Sequence, residues 1–288
     1  MQEVRVVFDA RNDPPPGVDP TKSSVARLYD CLLGGKDHYA VDRQVARELA
    51  AVVPEIAQAA MENRQFVSRV CRFLAQEEGV TQFLDCGSGL PTTENVHQIA
   101  QRANPAAKVI YVDYDPVVAS HGRALLDHNE YTEIVEADFF DPASVLDDPT
   151  VLGHLDWSRP IAVLFFAALH HHSGDRGLPA KVTRAFVDRL APGSFLAVSF
   201  VLDAADESPE DHAVKKLLDA IHKGPMKDVA SLTREEIAEL FHETELLPPR
   251  PGTPGEVVTI NDWWPDGPGL SPPTVARRIL AGGVARKR

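Results

Sequence analysis

Three aspartates end three successive short apolar runs in this chain: Asp85 in QFLDCGSGLPT, Asp113 in VIYVDYDP and Asp138 in IVEADFF. The first run leads into Gly87-Ser88-Gly89, a turn of the kind that usually cradles a nucleotide phosphate. A carboxylate beside that turn repels a pyrophosphate and suits a ligand with a positive group. Asp113 lies 24 residues after Gly89, close to the spacing of about 20 at which an acidic residue accepts both hydroxyls of a ribose. Asp138 is placed to accept a hydrogen bond from an adenine amino group, with Phe139 beside the ring. A helix cap or turn explains any one of these aspartates. It does not readily explain three of them at successive run ends beside paired glycines.

The ligand so described has an adenosine, a cationic group and no phosphate. S-adenosylmethionine, with its ammonium and sulfonium, has that set. A nicotinamide dinucleotide does not, and its G-x-G-x-x-G fingerprint is broken here by Thr92. Candidate proton acceptors for the chemistry are His170 and His171 in LHHHSGD, with Tyr39 a weaker one.

Placing these residues takes alternating strands and helices. Strands are expected over 81–86, 108–112, 132–136, 161–167 and 194–200, with helices near 93–103, 116–127 and 178–190. That alternation specifies a mainly parallel sheet covered by helices on both faces. FLDC, VIYVD, IAVLFF and FLAVSF are continuously apolar, as doubly covered parallel strands require. Ligands bind such sheets at the carboxyl ends of the strands, where the glycine turn lies. Ahead of the sheet, Ile56, Ala60, Phe66, Val67, Val70, Cys71 and Leu74 form a helical stripe. The division expected is an arm over 1–22, a helical cap over 23–80, a core over 81–264 and a Pro- and Gly-rich tail over 265–288. Capping boxes start two late helices, at Ser208 with Asp211 and at Thr233 with Glu236. TELLPP and EVVTI read as a closing antiparallel pair.

A formal charge of −13 without a basic stripe argues against gripping a nucleic-acid backbone. Three cysteines without C-x-x-C spacing read as reduced thiols in a cytoplasmic protein. No apolar run approaches the roughly 20 residues that span a bilayer. LLGGKD is not a phosphate loop, because Asp30 and Asp37 stand where Gly and Ser or Thr are needed. His170, His171 and His172 in extended chain would point to alternate sides and could not converge on one metal, so no metal is expected.

ARLYDCLLGGKDHYAVDR, NRQFVSRVCRFLA, QFLDCGSGLPTTENVHQIAQ, VIYVDYDPVV and the LHHHSGD region resemble the class I S-adenosylmethionine-dependent methyltransferases. Within them they resemble a bacterial family with an N-terminal GGKD block and a GLPT glycine loop. The resemblance spans roughly residues 20 to 265. It implies a Rossmann-like, seven-stranded, mainly parallel sheet with its last strand antiparallel, under an N-terminal helical cap. It implies cofactor contacts at Asp85, Gly87, Gly89, Asp113 and Asp138, with Tyr114 and Phe139 adjoining them. Arg64 and Gly34 of the cap would wall the site, with Arg27, Tyr29, Lys36, Asp37 and Tyr39. Pro91 stands where the broader superfamily often has a further glycine.

The expected function is methyl transfer from S-adenosylmethionine to a small molecule. FFAALHHH replaces the D/N-P-P-Y/F tetrad associated with planar amino groups, which argues against nucleic-acid bases. A non-catalytic S-adenosylmethionine-binding module and a nicotinamide-dependent oxidoreductase are the alternatives. The GGKD loop is expected to close over the cofactor.

Overall fold

The long apolar runs become the strands of one mixed sheet, and the amphipathic runs become helices that cover it. The computed structural model describes residues 18–91, 94–126, 129–172, 174–203, 209–223, 229–265 and 274–288. The arm over residues 1–17, Thr92, and Ser208 of the first capping box lie outside the described residues.

Helices α1 (Val25–Leu32), α2 (Ala40–Val52) and α3 (Ile56–Arg72) come first, and a short π-helical turn over Phe73–Glu77 ends α3. The sheet then begins with β1 (Gln82–Cys86), α4 (Val96–Ala103), β2 (Lys108–Asp113), α5 (Pro116–Leu126) and β3 (Thr132–Glu136). Two short helices, α6 (Pro142–Leu146) and α7 (Pro149–His154), lead to β4 (Ala162–Phe166), α8 (Leu178–Arg189) and β5 (Phe195–Val201). Helices α9 (Pro209–Lys223) and α10 (Arg234–Glu239) precede β6 (Glu245–Leu246), β7 (Val258–Thr259) and β8 (Leu280–Arg286). The box at Thr233 and Glu236 caps α10 as expected.

The strand order is β3-β2-β1-β4-β5-β8-β6, with β7 also paired to β8. The first five strands are parallel and β8 runs against them. Strand order reverses between β1 and β4, so the crevice at their carboxyl ends is the place where such a sheet takes a ligand. Every residue of β1, β4 and β5 is buried.

Two expectations are corrected here. TELLPP and EVVTI do not pair with each other: Leu246 pairs with Ala285, and Val258 pairs with Gly282. The segment that receives them belongs to the supposed tail. Residues 280–286 form an inner strand seated against β5 along its whole length, which brings the described sheet to eight strands where seven were expected. The sequence hid β8 because Gly282 and Gly283 interrupt its apolar run and ARKR follows it. Gly282 is there for a reason of space: a Cβ at this position would sit 2.2 Å from the Val198 carbonyl oxygen.

The cap is not a separate unit. Leu28, Val45, Leu49 and Phe66 belong to the same continuous core as the sheet residues Phe83, Val163 and Val198. The Arg69 side chain donates to the Ile260 carbonyl at 2.7 Å and the Trp263 carbonyl at 3.1 Å, tying α3 to the chain beyond β7. Trp263 is fully buried and meets Phe66 edge-on at 5.8 Å.

Since the Gly282 clash is with backbone of a central strand, Gly282→Val should cost about 3 kcal/mol, the upper range for overpacking. Urea unfolding measures this, and a cost below about 1 kcal/mol would show that β8 does not sit tightly against β5.

Candidate functional site

A cleft of about 240 Å³ opens at the carboxyl ends of β1, β2 and β4. The structure brings Asp85, Gly87, Gly89, Asp113, Tyr114, Asp138 and Phe139 together around it. Arg64 from α3 and Val25, Ala26 and Tyr29 from α1 form the opposite wall, and His171 lies at one end.

The loop after β1 is shaped by backbone bonds. The N–H groups of Gly87 and Ser88 both donate to the Val112 carbonyl, at 2.8 and 3.2 Å. The loop therefore folds across the end of β2. Gly87 has φ +78°, and a Cβ there would meet the Ala168 side chain at 2.6 Å and Phe139 at 3.2 Å. Only glycine combines that conformation with that closeness. The Ser88 hydroxyl is buried in this loop without a hydrogen-bond partner, as a group left for a ligand would be.

Asp113 braces the loop as well as facing the cleft. One of its oxygens accepts from the Gly89 N–H at 2.9 Å and the other from the Asp115 N–H at 3.0 Å. Asp115 in turn caps α5 through the Val117 N–H. Each carboxylate oxygen keeps a lone pair for a further donor such as a ribose hydroxyl. Asp138, at the rim, accepts from the Phe140 N–H at 2.9 Å. Phe139 is buried edge-on against Phe165, and Tyr114 is exposed at the mouth.

Burial dominates the electrostatics. It pushes Asp85 up to about 7, with Arg64 pulling the other way and Asp113 adding to the rise. It likewise lifts Asp113 to about 6, against the backbone bonds that favour its ionised form. Two carboxylates held on the verge of protonation mark a site that would be relieved by a cation. Burial lowers His171 to about 4 and holds His170 well below the usual histidine range, so both imidazoles are neutral near pH 7.

The histidine segment is not extended as expected. A turn, closed by the His171 N–H on the Ala168 carbonyl at 3.1 Å, leaves the His170 and His171 rings 4.2 Å apart. His171 reaches the cleft; His170 stands behind it. Among the described residues no group of three or more His, Cys, Asp or Glu could hold a metal ion.

The structure does not bring Gly34 or Tyr39 to the cleft. Tyr39 is the N-cap residue of α2, and the GGKD loop wraps the carboxylate of Asp30. Asp30 accepts from the Asp37 N–H at 2.9 Å and contacts His38 Nδ1 at 2.8 Å, while its carbonyl takes the Gly35 N–H at 2.9 Å. Arg27 also serves the cap, in a buried ion pair with Asp42 at 2.9 Å. Lys36 and Asp37 do not line the cleft either; Asp37 lies 3.5 Å from His121 of α5.

Sequence reasoning missed the polar chain that joins the cap to the sheet. The Tyr29 hydroxyl donates to the Ala60 carbonyl at 3.0 Å and accepts from Asn63 at 3.1 Å. The Asn63 oxygen accepts from the Ser199 hydroxyl at 2.7 Å, and that hydroxyl accepts from the Ala167 N–H at 2.8 Å. Ala167 has φ +51°, a left-handed conformation held by this bond and lying on the cleft wall. The one legible sign was Asn63 itself, a polar residue inside the apolar stripe of α3.

These features suit an S-adenosyl ligand: a loop too close for a side chain, an unpartnered buried hydroxyl, and carboxylates without a phosphate-binding set. A family model for S-adenosyl methyltransferases matches residues 11–288. Among solved structures, a candidate methyltransferase from Thermobifida fusca YX is 39% identical, with a TM-score of 0.85 over 96% of this chain and 98% of that one. A DUF574-family protein from Streptomyces avermitilis MA-4680 is 32% identical, with a TM-score of 0.82 over 94% of this chain and 99% of that one. The apo methyltransferase SibL, 17% identical with a TM-score of 0.50 over 93% of this chain and 64% of that one, shares the fold. No curated protein sequence matches. The chain belongs to the S-adenosyl methyltransferase family, and it is a methyltransferase that uses S-adenosylmethionine.

Proposed function

We propose that the methyl acceptor is a small molecule, bound beside His171 at the end of the carboxylate-lined cleft. The observation that carries this is the lining of the cleft: residues of α1 and α3 form a wall across from the strand ends, so the site is a cleft of about 240 Å³ between cap and sheet, a size suited to small molecules. The acidic balance of the chain supports the same reading against nucleic acid. Among the described residues no helix is long and apolar enough to cross a membrane, and with three free cysteines a cytoplasmic enzyme is the reading we favour. The GGKD and GLPT segments assign it to the narrower bacterial family that carries both.

Bound S-adenosylmethionine supplies an already activated methyl group, so the residues have alignment and water exclusion to provide. Asp85 would pair with the ammonium, and the Gly87–Gly89 turn would admit the amino-acid chain closely. Asp113 would take the ribose hydroxyls, and Asp138 and Phe139 the adenine. Arg64 lies near Asp85 and favours its ionised form against the cost of burial. His171, neutral and facing the cleft, is our candidate to accept the acceptor's proton, with His170 behind it. A non-catalytic module would need neither a neutral imidazole nor space beyond the cofactor. A nicotinamide enzyme would have to seat a pyrophosphate against Asp85.

Linkage fixes the pH behaviour of the empty protein. The folded-state values of Asp85 and Asp113 lie above their unfolded values, so between about pH 4 and 7 the folded state binds more protons than the unfolded one. Stability contributed by the protonated carboxyls is therefore lost as pH rises through that window. Asp85→Asn should flatten the fall in melting temperature between pH 5 and 8, as scanning calorimetry reads it. An identical pH profile in the mutant would mean that Asp85 is not held protonated.

Asp113→Ala should weaken S-adenosylhomocysteine binding by about 10- to 100-fold, since it removes both ligand bonds and the brace on Gly89. Isothermal titration checks this, and affinity within twofold of the parent would take Asp113 out of the ribose site. Incubating a dialysed extract's small-molecule fraction with methyl-labelled S-adenosylmethionine should give labelled dialysable product. His171→Ala should reduce it about 100-fold, the usual worth of a positioned base, while leaving S-adenosylhomocysteine affinity nearly unchanged. Label found only in protein or nucleic acid would contradict a small acceptor.

A further inference from the structure

Beside the carboxylate-lined cleft lies a second cavity of about 90 Å³, and the two share Val25, Tyr29, Ala167 and His171 as a common wall. Its other walls are aliphatic: Leu28, Leu49, Ile56 and Ala60 from the cap, and Val201 and Leu280 from the sheet. No carboxylate, lysine or arginine lines it among the described residues. His170 also faces it, nearly fully buried and with Nδ1 lacking a hydrogen-bond partner. The chain of bonds from Ala60 through Tyr29, Asn63 and Ser199 to Ala167 fixes the partition between the two spaces. His171 stands in that partition and so touches both.

We propose that this cavity is the acceptor chamber, and that the acceptor is an uncharged, apolar small molecule presenting one hydroxyl or thiol toward His171. The proposal rests on the methyltransferase reading of the adjoining cleft. A charged body here would be stripped of water with no counter-ion to receive it, whereas an aromatic or aliphatic body gains by burial. The chemistry balances with the groups at hand. The acceptor heteroatom forms a bond to the methyl carbon as the carbon–sulfur bond breaks, its electron pair returning to sulfur. The acceptor's proton passes to the neutral imidazole of His171 and then to water. In an apolar chamber that proton has few other destinations, which gives His171 its place at the partition.

The test is binding of 1-naphthol to the protein saturated with S-adenosylhomocysteine, followed by titration calorimetry. Naphthol should bind without displacing the nucleoside, and naphthalene-1-sulfonate should bind at least about 10-fold more weakly. Ala60→Leu, which fills the chamber, should lower naphthol affinity about 10-fold. Ile56→Ser, milder and at the first turn of α3, should lower it about 3-fold. Both should keep S-adenosylhomocysteine affinity within twofold, which also shows that they are folded. Naphthol that competes with the nucleoside, that binds both variants like the parent, or that fails to bind the loaded protein would overturn the chamber while leaving the methyltransferase reading intact. Equal affinity for the sulfonate would overturn the exclusion of charge. Failure of S-adenosylhomocysteine itself to bind would instead strike the cofactor reading on which the chamber depends.

Discussion

A carboxylate buried at the end of the central strand is the constraint around which the site is arranged. Asp85 is the penultimate residue of β1, which with β4 flanks the point where strand order reverses. Removing a charge from water is costly enough that Asp85 titrates near 7 in the empty protein, even with Arg64 nearby. A loop that began with two glycines alone would suit a phosphate; with Asp85 at its root, the proposed ligand group is an ammonium. The second buried carboxylate, Asp113, ties that loop to the end of β2 through the Gly89 N–H. In the proposed reading, cofactor selection and loop geometry form one electrostatic unit.

The cap extends this unit toward chemistry. Its helices share the sheet's core and reach the β4 and β5 ends through Tyr29, Asn63 and Ser199. Buried polar chains of this kind are favourable only when every member is satisfied, and here each hydroxyl and amide has its partner. The result is a fixed partition with a polar, acidic cleft on one side and an apolar cavity on the other. The left-handed backbone at Ala167 belongs to this partition and is held by the Ser199 hydroxyl.

Much of this was legible in the sequence because the signals were local. Apolar run length gave the five parallel strands, and the aspartates at their ends gave the cleft, since a residue that ends a parallel strand must lie at the ligand edge. What escaped was set by distant partners. β8 was hidden because Gly282 is required to clear the Val198 carbonyl rather than to favour a strand. The GGKD loop drew a ligand-wall reading because nothing in the sequence shows that Asp30 will sit inside it. The histidine triplet reads as extended chain in the sequence, whereas a turn brings two of its rings to 4.2 Å, tilted against each other. Asn63 and Ser199 lie 136 residues apart, beyond the reach of any periodicity.

The central claim is that ionised Asp85 selects a cationic, phosphate-free adenosyl ligand. Calorimetric titration of S-adenosylhomocysteine across pH 5 to 8, in buffers of different ionisation enthalpy, tests it most directly. The account predicts affinity that rises with pH through about 7, proton release on binding at the lower end, and a marked weakening of both in Asp85→Asn, with NAD binding at least about 10-fold weaker throughout. Affinity independent of pH with no proton release, or NAD binding the more tightly, would contradict it.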